Sequence, residues 1–186
     1  MGSLANADAK YFKGDVAFWN EVMKHGTYDD FWKARNLRQH LKNIRPAVMT
    51  VGGWFDAENL FGALETFKKI EANSPDTSNT LVMGPWLHGG WSRGNGDSLG
   101  FVKFNDKTSL YYREKIEFPF FEYHLKGKGG FQRTKAWVFE TGANQWRTSE
   151  AWPPKGFEPK SFYLSAGGKL DLDQDPDNRR DIRRST

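Results

Sequence analysis

The chain has 186 residues, 38% of them hydrophobic and 16% aromatic, enough for one full domain or pieces of two around a real core. It has no cysteine, which excludes a disulfide framework, a thiolate zinc site and a cysteine nucleophile. No run approaches the roughly 18 apolar residues of a membrane span, the start holds no signal-peptide core, and nothing in the sequence names a compartment. The formal charge of +4 comes from the end: 27 Lys and Arg less Arg179, Arg180, Arg183 and Arg184 leaves 23, equal to the 23 acids, so no basic face for nucleic acid is predicted.

Residues 1–14 are small, polar and glycine-bearing and predict a disordered start. From Asp15, a candidate N-cap, Val16, Phe18, Trp19, Val22 and Met23 recur at the spacing of a helix that His25-Gly26 ends. A second helix is predicted from Asp29-Asp30 through Phe31, Trp32, Leu37 and Leu41, stopped by Asn43 and Pro46. Residues 47–51 have the composition of a buried strand, 58–72 read as an amphipathic helix with Leu60, Phe61, Leu64, Phe67 and Ile70 inward, and 80–83 form a second apolar strand. Strand, helix and strand make a crossover of ordinary size, which requires a parallel sheet with both faces covered and further strands upstream.

A polar, glycine-rich loop over 89–100 leads into an aromatic helix over 109–126, with Leu110, Tyr111, Ile116, Phe120, Phe121, Tyr123 and Leu125 as its buried stripe and a kink at Pro119. Residues 127–130 read as a linker, after which the period switches towards two. Strands are predicted at 136–140 and 161–164, separated by Asn144-Gln145-Trp146-Arg147 and a Pro153-Pro154 turn, as the start of a second, β-type domain. The charged stretch 171–186 predicts a loose end, and no internal repeat is present.

Two features carry chemistry. The first strand runs into Gly52-Gly53-Trp54-Phe55-Asp56, and the second into Gly84-Pro85-Trp86-Leu87-His88, 32 residues on. Ligands of open α/β sheets sit outside the carboxyl ends of the strands, so Asp56 and His88 face one crevice in which the Asp orients the imidazole and the His acts as general base. The spacing alone equally allows a loop Asp and an incidental His. α/β-Hydrolases place their triad in the order Ser, Asp or Glu, His, which puts the nucleophile before Asp56, where only Ser3 lies. The literal Gly90-Trp91-Ser92-Arg93-Gly94 follows the His loop instead of a strand and is read as a coincidence.

Gly52-Gly53-Trp54-Phe55-Asp56-Ala57-Glu58, Gly84-Pro85-Trp86-Leu87-His88-Gly89, and residues 140–147 with Trp152-Pro153-Pro154 together resemble the cocaine-esterase and α-amino-acid ester hydrolase superfamily, which also holds X-prolyl dipeptidyl peptidases and glutaryl cephalosporin acylases. The resemblance spans roughly residues 16–168. It implies an α/β fold in which 1–45 end a helical cap, 46–127 are the C-terminal part of the α/β-hydrolase domain, and 134–186 start a jelly-roll-like β domain. It assigns Asp56 as the acid and His88 as the base of a serine hydrolase that cleaves small ester or amide substrates through an acyl-enzyme. The family's nucleophile elbow and oxyanion-hole tyrosine match nothing in this chain, so the resemblance implies a fragment that lacks the N-terminal part of its hydrolase domain and is inactive alone.

In α-amino-acid ester hydrolases two carboxylates just after the triad Asp bind the substrate's ammonium group; here Glu58 matches and Asn59 stands where the second acid is expected. Glu58 reads equally as an acid favoured at a helix N-terminus. Trp54, with Trp86 and Trp91, reads either as a wall of the acyl pocket or as packing. His25, His40 and His124 have no ligand spacing, and no metal, nucleotide or other cofactor, nucleic-acid partner or membrane contact is predicted. A homo-oligomer is compatible with the sequence. The rival class is a non-catalytic module whose aromatic β segment binds a carbohydrate or a protein.

Overall fold

The computed structural model describes residues 2–156, 158–165 and 167–172. Its centre is a four-stranded sheet in the order β1-β2-β5-β6, formed by β1 (Val48–Gly53), β2 (Asn79–Gly84), β5 (Ala136–Glu140) and β6 (Gln145–Ser149). β1 and β2 run parallel, paired from Val48↔Asn79 to Gly53↔Gly84, with α3 (Leu60–Asn73) as the crossover between them. This is the α/β arrangement that the sequence predicts, and the small antiparallel pair described below is consistent with the start of a β domain.

β2 is buried at every position because both its edges and both its faces are occupied. Alternate side chains of a strand point to opposite faces. Leu81 and Met83 therefore meet Ala63 and Phe67 of α3, while Val82 meets Tyr112, Ile116, Phe120 and Trp137 on the other side. The α3 stripe is Leu60, Ala63, Leu64, Phe67 and Ile70. Phe61, predicted to point inward, is 65% exposed, one position off that row, with the Arg38 guanidinium 4.9 Å from its ring centre.

The long aromatic helix begins at α4 (Thr108–Tyr111), widens to a π turn over Tyr112–Glu117 and continues as α5 (Phe118–Lys126). Pro119 has no N–H to give, and the wide turn immediately before it accommodates that loss where the sequence predicts a kink. Gly127, at φ 63°, caps the helix in the left-handed conformation. Phe121 and Leu125, expected in the buried stripe, face solvent.

The prediction of a second domain from 134 meets a different arrangement. β5 pairs parallel with β2 (Leu81↔Ala136 to Met83↔Val138), and β6 pairs antiparallel with β5 over Ala136↔Ser149 to Glu140↔Gln145. The glycines read as a linker are the helix cap and the return loop of a second crossover, and Gln145–Arg147, read as a separator, is strand. Beyond Pro153-Pro154, β7 (Tyr163–Ser165) and β8 (Lys169–Asp171) form a separate antiparallel pair, with β7 near the strand predicted at 161–164. Another antiparallel pair, β3 (Ser98–Leu99) with β4 (Val102–Lys103), interrupts the glycine-rich loop.

Before β1 the chain is helical in short pieces. Residues predicted to be disordered form helical turns at Leu4–Asn6 and Asp8–Phe12, and Phe12 packs edge-on against Trp19 at 5.2 Å. α1 (Ala17–Lys24) starts after Val16 with no side-chain cap, so Asp15 does not serve as one, and Val16, Phe18 and Met23 are exposed. α2 (Asp30–Ala34) is capped by Asp29, whose carboxylate accepts from Phe31 N–H at 3.1 Å. It stops short of Leu41 because Asn36 accepts from Arg38 N–H at 3.1 Å and starts a separate 3₁₀ turn, Leu37–His40. The predicted loose end lies beyond the described residues from 173 onward. No helix among the described residues is long and apolar enough to cross a membrane.

Candidate active site

Glycine at the strand ends lets the two post-strand loops touch. A Cβ on Gly53 would lie 2.1 Å from the Trp86 carbonyl oxygen, and one on Gly84 would lie 2.4 Å from the Trp86 ring. With neither present, Trp54 N–H donates to Gly84 O at 2.8 Å and Phe55 N–H to Trp86 O at 3.1 Å. The loops cross-bond, and their next residues converge.

The His88 imidazole meets Asp56 with Nδ1 3.0 Å from Oδ2. An ionised carboxylate only accepts, so Nδ1 carries a proton, and in the neutral ring Nε2 is the bare nitrogen. The Asp56 side chain is 1% exposed, while that of His88 is 47% exposed. The second Asp56 oxygen, Oδ1, accepts from Glu58 N–H at 2.8 Å and Asn59 N–H at 2.9 Å. Burial pushes the Asp56 carboxyl up, but these two backbone donors and His88 outweigh it and hold the group below the usual carboxylate range. The result is a buried, ionised acid on one nitrogen of an open imidazole.

The remaining expected residues separate. Glu58 lies at the site by both its backbone, on Asp56, and its side chain, whose Oε2 is 3.9 Å from His88 Nε2. Asn59 serves Asp56 through its N–H alone. Trp54 turns away from the imidazole: its indole N–H donates to Phe139 O at 2.9 Å and its ring packs on Trp152 at 5.9 Å, lining a cavity of about 620 Å³ with Val138, Glu140 and Arg147. Trp86 is core. Trp91 stands edge-on to the His88 ring at 6.1 Å.

Ser92 ends a 3₁₀ turn, Gly90–Ser92, and its hydroxyl donates to Gly89 O at 2.9 Å. His25 is paired elsewhere, with Nδ1 2.6 Å from Asp29 Oδ2. No three His, Cys, Asp or Glu side chains gather as a metal site among the described residues. Sequence reasoning missed Thr108 and Ser109, both fully buried under the His88 loop. Thr108 accepts from the Trp86 indole at 2.9 Å and donates to Gly96 O at 2.6 Å, and Ser109 donates to Gly90 O at 3.0 Å. The available signal was a pair of small hydroxyl residues opening an otherwise aromatic helix.

Residues 3–90 match the family model described as X-Pro dipeptidyl-peptidase (S15 family). Cocaine esterase of Rhodococcus sp. (strain MB1 Bresler) is 26% identical over 155 residues, 80% of this chain and 25% of that protein. A solved α-amino acid ester hydrolase superposes with a TM-score of 0.81 at 28% identity, over 92% of this chain and 29% of its own. These matches support the resemblance to this superfamily of α/β-hydrolases. An aminopeptidase from a marine sediment Thaumarchaeota archaeon is a further structural match, with TM-score 0.78 and 29% identity over 86% of this chain and 26% of its own. The chain thus spans about a quarter of the length of the relatives it matches.

Proposed function

We propose that this chain carries the orienting acid, Asp56, and the general base, His88, of a serine hydrolase that cleaves esters or amides by acyl transfer. The observation that carries the reading is the 3.0 Å contact between buried Asp56 and the open imidazole at the ends of two adjacent parallel strands. Kinship with proteins named for ester or peptide cleavage supports it.

In this mechanism His88 Nε2 takes the proton of a serine hydroxyl as its oxygen attacks the substrate carbonyl. Asp56 keeps the ring in the Nδ1–H tautomer and stabilises the imidazolium. The imidazolium protonates the departing alcohol or amine and leaves an acyl-enzyme, and a water deprotonated by the same nitrogen releases the acid. Ser92 does not fit the nucleophile's part, since no strand runs into it, so the serine belongs to a segment outside the described residues. Glu58, beside Nε2, suits a substrate with a cationic group near its carbonyl, with one carboxylate where two would bind it more tightly.

The purified 186-residue chain is expected to show no turnover of p-nitrophenyl acetate above background. Joined in one polypeptide to a segment bearing a nucleophile elbow, such as the part of the α-amino acid ester hydrolase that precedes the matched region, it is expected to hydrolyse the ester. His88→Ala should then remove roughly 10⁴-fold of the rate. Turnover by the chain alone that Ser92→Ala abolishes, or a folded hybrid indifferent to His88→Ala, overturns the reading.

A further inference from the structure

The His88 ring is nearly half exposed and among the described residues has one hydrogen bond, to Asp56. On its other sides lie the Glu58 carboxylate, 72% exposed and 3.9 Å from Nε2, and the edge of Trp91, at an interplanar angle of 71°. An exposed carboxylate does not hold a ring in place, so among these neighbours the aim of the imidazole depends on Asp56 and on where the turn carrying Trp91 is held.

Four backbone carbonyls of that turn, those of Gly89, Gly90, Trp91 and Gly94, accept hydrogen bonds. Gly89 O accepts from Ser92 N–H and Oγ, and Gly90 O from Arg93 N–H and Ser109 Oγ. The other two go to a single side chain: Arg113 Nη1 donates to Trp91 O at 3.1 Å and Nη2 to Gly94 O at 2.8 Å. Among the described residues Arg113 forms no ion pair, so its guanidinium is committed to the loop backbone. A planar fork with two parallel donors spans two carbonyls in a way that the single ammonium of Lys does not.

Positions four apart on a helix share a face. Thr108 and Tyr112 make one such pair and hold Trp86 before the turn, through its indole N–H and an edge contact of the two rings at 5.5 Å, with Thr108 also reaching Gly96 O beyond it. Ser109 and Arg113 make the adjacent pair and take the turn itself, from Gly90 to Gly94. The π turn starts at Tyr112, and the Arg113 carbonyl accepts from Phe118 N–H five residues on, so this end of the helix is widened next to the site.

We propose that Arg113 is a positioning residue for His88: by closing the 91–94 turn it fixes Trp91, and Trp91 fixes the imidazole on Asp56. The proposal rests on His88 being the general base, but its test reads the imidazole without substrate, so it can fail while the acyl-transfer reading stands, and the reverse.

The test uses the whole 186-residue chain and follows the low-field proton resonance of His88 Nδ1–H by NMR. In Arg113→Met that resonance is expected to be lost to exchange with water, and in Arg113→Lys to persist but broaden. Ile70→Val, a core change on the far face of the sheet, should leave it sharp. If Arg113→Met does not fold, Arg113→Lys decides. Folded Arg113 variants with the wild-type resonance and the wild-type His88 titration overturn the proposal, as does equal loss of the resonance in Ile70→Val.

Discussion

Asp56 is removed from water, yet it stays charged because three donors replace the solvent it lost: two backbone N–H groups on one oxygen and the imidazole on the other. A carboxyl held below its unfolded value binds fewer protons when folded than when unfolded, so it adds stability above its unfolded pKa, about 3.9. That contribution is lost as pH falls through the lower folded value. Asp56→Asn is therefore expected to lower the urea midpoint by a constant amount above about pH 5, with the gap to wild type closing as pH falls below about 4. A gap that does not change with pH places the effect in packing rather than charge. Asp56 and His88 were legible in the sequence because each follows an apolar strand that ends in glycine, and the roles of those glycines are now physical: a methyl group on Gly53 would collide with the Trp86 carbonyl. The direction of Trp54 was not legible, since a tryptophan beside a strand-end loop can turn either way, and here its N–H is taken by Phe139 O.

At the scale of elements, the strands and the crossover helix follow from pattern alone, with ends within a residue or two for β1 and β2. What pattern alone misjudged is the width of the buried stripe. Phe61 and Phe67 both read as inward on α3, but only Phe67, at 1% exposure, lies on the row that meets Leu81 and Met83. Phe67→Ala is expected to cost about 3–5 kcal/mol by chemical denaturation. Phe61→Ala, which loses a solvent-exposed contact with Arg38, is expected to cost less than about 1 kcal/mol. Similar costs for the two would contradict the described orientation of the helix. The long aromatic helix was legible as one element, whereas its π turn was not, because Pro119 reads as a kink and a wide turn accommodates its missing N–H instead.

For the whole molecule, the linker reading of 127–130 failed for a topological reason. A glycine cluster after a helix marks either a domain boundary or a left-handed helix cap before a returning strand, and local sequence does not separate the two. β5 returns into the sheet beside β2, which gives β2 its second neighbour and buries it at every position. That burial sets the height of Gly84 and, through it, the loop that carries His88. The arrangement has one purpose in this account: to hold an imidazole with Nδ1–H on a buried carboxylate and Nε2 bare towards the crevice. Two-bond ¹H–¹⁵N correlation spectra of the His88 ring, recorded on the folded chain above the pH at which it titrates, read that tautomer directly. The expected result is Nδ1 protonated and Nε2 bare, with the preference lost in Asp56→Asn. An Nε2–H tautomer in the wild-type chain, unchanged by Asp56→Asn, would contradict it.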